Sequence, residues 1–492
     1  MSKSKYRMAG GSDNKQMASD TVVANQLNFK PLNASNPIYD YKQISPVENV
    51  SQSQAQLVPG TFLNGFPIGT AGTTTVSFNL PINCINWARS YIDYDTVINL
   101  AAANSSTFVD AIPDPISGLR WSTQTGGNIV DLKYAMQYQR IVLMKETKAS
   151  DMITNTEILV TGQGGNSAAV GNIGPTDLAS SDDTAGNNPR ADGTPADFNY
   201  VDPVYVSVSG QGEGIAIHRR SPLSRWKNTA FAIDKDLPVN VATQLFIDFA
   251  GTASFSWNQT NAGVNSAQTQ PGVIQNLRLF LAVEANPLIK TPLLDMANKG
   301  QFSINCPYVL AQKLNLSGTS QNPSFTFNNV NGSKLQKVIH AFFHATESNN
   351  TCLEHKNMAN GVGGSVVASY NTSLNDDKIQ NILIDCTKNH DYMYNFNTLK
   401  GSAIRDNYSY GYNHFHCDDW TNNNTDTNVD SGLDLQQSQY KWALTTDTVV
   451  GGATINHYNF AVIGKRLIFV PNVGLMFDGG PKMGIPTQAQ TM

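Results

Sequence analysis

The sequence predicts an all-β chain with two tandem sandwich domains, long loops and an extended N-terminal arm. Only 14% of the 492 residues are charged, whereas ordinary soluble chains carry about 25%. The polar residues are largely uncharged, with 52 Asn beside 38 Gly and 22 Pro, and these residue types favour turns over helices. The length suits two large β domains. A net charge of −5 disfavours nucleic-acid binding as the main activity, because that activity needs a basic surface.

Strands are predicted in the first half because apolar and polar side chains alternate there with period two. The alternation is clearest over residues 92–100, where Asp93, Asp95 and Asn99 share one face. The other strands predicted in this half cover residues 76–80, 129–133, 141–144, 157–160, 205–208, 245–249, 253–257 and 277–285. A short helix is predicted over residues 131–139, and a long polar surface loop over residues 162–200.

The domain junction is predicted at residues 286–300, which hold two prolines and a terminal glycine. The alternating pattern then restarts, with strands predicted over residues 302–304, 324–327, 335–345, 379–385, 458–463 and 466–470. The predicted division is an arm over residues 1–57, a first domain over 58–290, a second domain over 291–478 and a tail over 479–492. Domains of this size with short strands and long loops indicate sandwiches or jelly rolls.

The N-terminal arm is polar and poor in aliphatic residues, so we expect an extended segment rather than a folded unit. Its scattered apolar anchors are Phe29, Leu32, Ile38, Tyr39, Tyr41 and Ile44. Such anchors can dock in a groove of a neighbouring copy or add a strand to the edge of its sheet. Positive charge at the tip comes from Lys3, Lys5, Arg7 and Lys15. A disordered tail without a role is the alternative.

The five cysteines are predicted to be reduced and mostly buried, and no disulfide is expected. They are Cys84, Cys306, Cys352, Cys386 and Cys417, at wide spacing. The N-terminus has charge but no apolar segment behind it, so it does not match a secretory signal. No apolar run in the sequence reaches the roughly 18 residues of a transmembrane helix.

Metal and nucleophile chemistry has three candidate groups. The residues are His414, His416, Cys417 and Asp419 in one cluster, Cys352 with His355, and Cys386 with His390. On a strand, His414 and His416 face one way and Cys417 the other, so one ion does not reach them all. The other two pairs lack the tight Cys-x-x-Cys spacing of zinc sites. Buried thiols and hydrogen-bonded imidazoles are the preferred interpretation, so no metal, cofactor or catalytic residue is predicted.

Three other patterns are interpreted as structural. The carboxylate pairs Asp182-Asp183, Asp376-Asp377 and Asp418-Asp419 lie in loop-like sequence and are expected to be solvated turn residues. The glycine-rich stretches 162–165 and 210–214 lack the helix that a phosphate loop needs, so hairpin turns are expected. The basic stretch 218–227 includes Trp226 and is compatible with single-strand nucleic-acid contact. Pairing with neighbouring acidic residues or with a neighbouring subunit is the preferred interpretation.

The order of segments resembles double jelly-roll major capsid proteins of polinton-like viruses and virophages, within the icosahedral double-stranded DNA virus lineage. The segments in the first half are 90–95, 132–143 and 276–286. The segments in the second half are 331–343, 370–374, 385–386, 391–393 and 415–420. The resemblance covers roughly residues 58–478 and rests on motif order rather than on one diagnostic signature.

The resemblance implies two eight-stranded jelly rolls per chain and a mechanical function. Three copies form a pseudo-hexagonal homotrimer, and trimers tile a shell around the genome, together with penton and minor capsid proteins. It also implies residence in the virion after assembly inside the host cell. In such an architecture the loop 162–200 faces outward, towards the host surface. The arm faces inward, towards DNA or an inner membrane, and links neighbouring trimers.

Two other functions remain as alternatives. A minor capsid, penton or host-attachment protein can be built on the same fold, although a penton is more typically a single jelly roll. A β-sandwich carbohydrate-active enzyme would need two carboxylates facing each other across a cleft. Two tandem β domains of similar size favour the major capsid protein.

Overall fold

The computed structural model describes residues 37–47, 65–98, 105–110, 114–123, 127–146, 161–164, 205–209, 215–260, 265–300, 303–316, 322, 324–328, 334–344, 367–375, 377–378, 384–385, 415–421, 432–434, 439–446, 455–471 and 474–477. The strands pair in five antiparallel sheets, which confirms the all-β prediction. Two α-helices accompany them within these ranges, α1 (Ala135–Glu146) and α2 (Pro287–Asn298). No described helix is long and apolar enough to cross a membrane.

The first half forms two large sheets and one small sheet. Its strands are β1 (Tyr39–Ile44), β2 (Gly65–Ile68), β3 (Thr73–Leu80), β4 (Asn83–Ile98), β5 (Ser105–Asp110), β6 (Ile116–Thr123), β7 (Asn128–Lys133), β8 (Thr161–Gly164), β9 (Tyr205–Ser209), β10 (Ile215–Pro222), β11 (Asp236–Val239), β12 (Thr243–Ala250), β13 (Ser256–Thr260), β14 (Asn265–Ala267) and β15 (Gly272–Glu284). Sheet A has the order β1-β15-β4-β10-β8, with β2 beside β15 and β11 beside β4. Sheet B has the order β3-β12-β6-β7, and sheet C has the order β14-β13-β5-β9.

The strand order of the first half is that of a jelly roll. Its eight principal strands are, in chain order, β2, β3, β4, β6, β7, β10, β12 and β15. Sheet A places the first beside the eighth, the eighth beside the third and the third beside the sixth. Sheet B runs second, seventh, fourth and fifth. Neighbours in space are thus distant in sequence, as two interleaved Greek keys require.

The second half repeats this order. Its strands are β16 (Ser303–Leu316), β17 (Ser324–Asn328), β18 (Lys334–His344), β19 (Val367–Leu374), β20 (Asp377–Lys378), β21 (Ile384–Asp385), β22 (Phe415–Asp419), β23 (Leu433–Asp434), β24 (Gln439–Thr446), β25 (Ile455–Val470) and β26 (Gly474–Phe477). Sheet D has the order β16-β25-β18-β22, and sheet E has the order β17-β24-β19-β20. If β20 is counted as the fifth principal strand, sheet D has the order first, eighth, third and sixth. Sheet E then has the order second, seventh, fourth and fifth, as in the first half.

Several predicted elements differ from the structure. Residues 141–144, predicted as a strand, lie in α1, and the predicted helix 131–139 begins only at residue 135 because β7 occupies its first three positions. Short apolar runs fit both periods, so pattern alone did not separate helix from strand. Residues 252–254 form a 3-10 helix where the strand 253–257 was predicted, and β13 starts afterwards. The two strands predicted over 458–463 and 466–470 are one long strand, β25.

The junction contains a helix that was not predicted. The side chain of Asn286 accepts a hydrogen bond from the backbone N–H of Leu288, and Pro287 suits the first helical position. The helix ends before Gly300, whose φ of 67° is in the left-handed region that glycine tolerates. Helix α2 therefore connects the two jelly rolls as a folded element rather than as a loose linker.

The predicted arm and surface loop are described only in part. Within the arm, Tyr39–Ile44 form β1, which pairs with β15 of its own chain. Most of the loop 162–200 lies outside the described residues, but its first three positions belong to β8, which pairs with β10. The strand predicted over 157–160, the insertion 357–369 and the tail 479–492 also lie outside the described residues.

Candidate functional site

The most extensive site is the surface where the two jelly rolls meet, because sheet D is covered on both faces. Along β25, every residue from Asn456 to Ile463 is buried. Ala461 and Ile463 face the interior of their own jelly roll. Phe460 and its neighbours on the opposite face belong to a second apolar cluster, which is continuous with the core of the first jelly roll.

Aromatic rings bridge this interface. The ring of Tyr134 lies 5.1 Å from that of Tyr458, edge to face, and the ring of Tyr138 lies 5.0 Å from that of Phe460. Tyr134 joins β7 to α1 with a φ of 56°, an uncommon conformation for a bulky residue. Such strain persists where surrounding packing fixes it, and here it directs the ring towards Tyr458. The two jelly rolls are therefore held as one block.

Close packing at the interface also requires glycine at one position. Gly474 starts β26 with a φ of 96°, and a Cβ there would clash with Cγ2 of Val241 in the first jelly roll. Helix α2 adds Ile289, Leu293 and Ala297 to the shared apolar cluster. Elements from both halves of the chain thus close the same surface.

A buried ionic cluster lies inside the first jelly roll. Asp114 is 2% exposed and pairs with Arg225 at 3.2 Å, while the Gln139 amide donates to it at 2.7 Å. Ser221 and Tyr94 also donate to its carboxylate. Burial opposes ionisation of Asp114, but nearby arginines and hydrogen bonds outweigh it and lower the pKa below its usual value. The cluster ties β10 to the segments that flank it.

Two arginines of the basic stretch 218–227 have acidic partners in the structure. Arg225 pairs with Asp114, and Arg220 lies 3.5 Å from Asp93 on the neighbouring strand. Both arginines therefore pair with acidic residues of the same chain, as preferred from the sequence. Asp114 itself carries no distinguishing sequence signal, since a single Asp before a strand is common.

A second polar cluster lies inside the second jelly roll. The Tyr440 hydroxyl donates to Oδ2 of Asp418 at 2.8 Å, and Thr372 donates to the same oxygen at 3.1 Å. Nε2 of His340 lies 3.2 Å from the Tyr440 hydroxyl. The imidazole of His340 stacks on Trp442, with ring centroids 3.7 Å apart. All of these side chains are buried, so the cluster is part of the core and does not open onto a cleft.

The prediction that Asp418 and Asp419 are solvated turn residues is wrong. Both lie at the end of strand β22, where the buried Asp418 joins the cluster and Asp419 pairs with Lys337 at 3.2 Å. The polar sequence that follows them suggested a loop two residues too early. Asp377 lies in β20, whereas Asp376, Asp182 and Asp183 lie outside the described residues.

The cysteines that the structure describes are buried thiols. Cys84, Cys306 and Cys417 form no disulfide with one another, and burial raises the pKa of Cys84 and Cys306 to about 12. Such thiols stay protonated and are poor nucleophiles. His416 lies opposite His340 in the ladder between β22 and β18. The other candidates, Cys352, His355, Cys386, His390 and His414, lie outside the described residues.

Among the residues that the structure describes, no group of three or more His, Cys, Asp or Glu side chains is arranged to hold a metal ion.

A third polar group lies where the N-terminal arm meets sheet A. Oε1 of Glu284 accepts hydrogen bonds from the backbone N–H of Ile38 at 3.1 Å and of Asn286 at 2.7 Å. The Asn86 amide donates to the Tyr39 hydroxyl at 3.0 Å. The carboxylate of Glu284 therefore connects the start of β1 to the cap of α2.

Asp236 lies beside this group. Burial, together with the negative charge of Glu284, raises the pKa of Asp236 to about 6. The hydroxyl of Tyr39 contributes a hydrogen bond to Asp236, which acts in the opposite direction.

No model of a known protein family and no curated protein matches the chain. Solved structures do match. The mavirus major capsid protein matches with a TM-score of 0.48 and 10% identity, over 91% of this chain and 93% of the mavirus protein. The Faustovirus major capsid protein matches with a TM-score of 0.49 and 8% identity, over 93% and 100% of the two chains. The Sputnik virophage structure matches with a TM-score of 0.44 and 11% identity, over 94% and 98%.

These similarities lie below a TM-score of 0.5, so the fold is identified from the strand order within this chain. The eight principal strands of sheets A and B have the same order as those of sheets D and E. By that criterion the chain has the double jelly-roll fold.

Proposed function

We propose that this chain is a major capsid protein that self-assembles as pseudo-hexagonal homotrimers, which tile an icosahedral shell around a double-stranded DNA genome. The observation that supports this most is the fusion of two jelly rolls with the same strand order through one apolar core. Three such blocks around a three-fold axis present six sandwiches, and a six-sided tile packs without gaps. Closed rotational symmetry is the usual arrangement of such assemblies.

The position of the polar clusters supports a structural rather than an enzymatic role. The clusters around Asp114 and Asp418 are both buried, and their members bond to one another within the core. Groups that act on a substrate normally converge on a pocket. Networks of this kind instead fix a unique packing of the strands around them.

The arrangement of the loops supports an outer and an inner side. Sheet C consists of β5, β9, β13 and β14, which lie in three separate connections between the principal strands. Residues 165–200 of the predicted loop lie in the connection between β8 and β9, and β9 belongs to sheet C. We propose that this end faces outward and meets the host surface. The arm, residues 1–57, then faces DNA or an inner membrane.

We propose the domain bounds and the partners on the basis of the same architecture. The first jelly roll spans residues 58–290, the second spans 291–478, and residues 479–492 form a tail. No metal, cofactor or disulfide is needed for the mechanical role. Penton and minor capsid proteins of the same particle are the expected partners, and the protein resides in the virion after assembly in the host cell.

Purified full-length protein tests the proposal directly. Native mass spectrometry should give a homotrimer at micromolar concentration, and electron micrographs should show hexagonal capsomers or closed shells. A stable monomer without ordered assemblies would contradict the proposal. Hydrolysis of a glycan that is lost on substitution of one carboxylate would support the enzyme alternative instead.

A further inference from the structure

Two separate strands complete one edge of sheet A. Strand β1 pairs with the end of β15, from Tyr39 opposite Glu284 to Ile44 opposite Leu279. Strand β2 pairs with the beginning of β15, from Gly65 opposite Gln275 to Ile68 opposite Gly272. The two strands therefore lie end to end along the same side of β15.

The side chains of β1 are mostly exposed where the strand lies on sheet A. Four of its six residues are exposed, and Tyr41 is 49% exposed. Asp40 and Lys42 occupy the positions that alternate with Tyr41 and point to the core side, yet both are exposed charges. The attachment rests on backbone hydrogen bonds, on Ile44 against the core and on the bond from Ile38 to Glu284. The Tyr39 hydroxyl also accepts a hydrogen bond from Asn86, and the ring of Tyr41 lies 6.0 Å from that of Tyr91. Such a segment fits any identical sheet edge equally well.

The chain that follows β1 is much longer than its path requires. Val47 donates a backbone hydrogen bond to the carbonyl of Ser77 on β3, and Thr74 on β3 donates to the carbonyl of Pro67 on β2. At about 3.4 Å per residue, these contacts place Gly65 roughly 20 Å from Val47. Residues 48–64 separate the two, and such a length of chain spans up to about 60 Å when extended. A connection of this length is sufficient for β1 to reach a neighbouring copy of the chain.

We propose that β1 is exchanged between copies of this chain, so that residues 37–47 of one copy occupy the β15 edge of a second copy in the assembled state. The inference rests on the proposed function, because assembly holds the copies close together. An exchanged strand makes the same contacts as before, so exchange costs no contact energy. Because assembly already holds the copies side by side, the exchange costs little additional translational entropy. Each exchange links two copies.

Paired cysteines across the exchanged edge test this. The variant Gln43→Cys/Phe280→Cys places thiols on facing residues of β1 and β15. The variant Tyr41→Cys/Ala282→Cys provides a second facing pair, in case the loss of Phe280 impairs folding. The matched control, Asn79→Cys/Gln244→Cys, joins β3 to β12 at two facing positions whose side chains are hydrogen-bonded and which no exchange separates.

Each protein is assembled, oxidised and run on a denaturing gel without reductant. We expect covalent multimers from either β1 variant, and only monomers from the control and from the oxidised unmodified chain. Monomers alone from both β1 variants, with the thiols consumed, would overturn the proposal. If no particles form, the proposed function fails, and the same variants are oxidised as concentrated protein. Covalent dimers there still support exchange, and monomers alone reject it.

Discussion

Sheets A and D hold equivalent positions in the two jelly rolls but differ in what covers them. The outward face of sheet A carries half-exposed residues such as Phe280 and Tyr91, whose rings stack 4.8 Å apart. The outward face of sheet D is buried under the first jelly roll, with Phe460 fully inaccessible to water. Phe280 and Phe460 lie on the eighth strand of their respective jelly rolls. The same strand order thus supports one open face and one closed face, and the environment decides what each phenylalanine contributes.

The interiors differ as well. The carboxylate of Asp114 in the first jelly roll is compensated by Arg225 and by several neutral donors. In the second jelly roll one hydroxyl, that of Tyr440, contacts both Asp418 and His340. A polar group that serves two buried partners is harder to replace than one donor among several.

The largest effect is expected from Phe460→Ala. The substitution leaves a cavity where sheet D meets the first jelly roll, and we expect the free energy of unfolding to fall by about 3–5 kcal/mol. The matched variant Phe280→Ala removes the same side chain from the open face and should cost only about 1 kcal/mol, mainly from the lost ring stack. Urea unfolding followed by fluorescence measures both. Equal losses would mean that the interface between the jelly rolls adds no stability.

A smaller effect is expected from Tyr440→Phe. Loss of the hydroxyl removes a partner from Asp418 and from His340 in the buried cluster, and we expect a loss of about 1–3 kcal/mol. Tyr94→Phe is the control, because Asp114 keeps Arg225 and Gln139 when the Tyr94 hydroxyl is absent. It should cost less than about 1 kcal/mol. A larger loss for Tyr94→Phe in the same urea titration would reverse the comparison of the two interiors.

The smallest effect concerns the edge of sheet A and depends on pH. The pKa of Asp236 rises from 3.8 to about 6 on folding. The stability that protonation of this carboxyl contributes is therefore fully present below pH 3.8 and is lost as the pH rises through 6. Asp236→Asn does not titrate. The free energy of unfolding of this variant, relative to that of the unmodified chain, should rise by about 1–2 kcal/mol between pH 3.5 and pH 7. This figure is reduced for screening by water.

Asp114→Asn should show a pH dependence of stability with the opposite sign in the same urea titration. The pKa of Asp114 is lowered, so its contribution is present above pH 3.8 and is lost as the pH falls. This variant should therefore be destabilised at pH 7. A pH-independent difference for Asp236→Asn would show that the carboxyl beside Glu284 titrates alike in the folded and unfolded chains.

The fold class was predictable because one-sided strands leave a period-two pattern, as residues 92–100 do. The closed face of sheet D was not predictable in the same way. A strand buried on both faces loses the alternation, and the apolar run at 458–463 looked like a short strand rather than part of an interface. Helix α1 was partly mistaken for a strand for the related reason that a short apolar run fits either period.

The polar clusters were least predictable from sequence. Asp418 is followed by an Asn- and Thr-rich stretch, so its neighbours in sequence indicated a loop, whereas its partners Tyr440 and Thr372 are distant in sequence. The pairing of Arg225 with Asp114 was anticipated only as a general preference for acidic neighbours. Pairings between distant residues are set by strand order, which local pattern does not encode.

The closed face of sheet D also sets an order of events during synthesis. The strands of the first jelly roll are complete once β15 has left the ribosome, but the surface around Tyr134 and Tyr138 is covered only after β25 has followed. At about 5–20 residues per second, that interval lasts roughly 10 to 40 seconds. During this interval, the nascent chain exposes an aromatic surface to the other nascent chains on the same messenger RNA. The half-made chain is therefore the species most prone to aggregate, and slower translation of the second half should lower the yield of soluble protein.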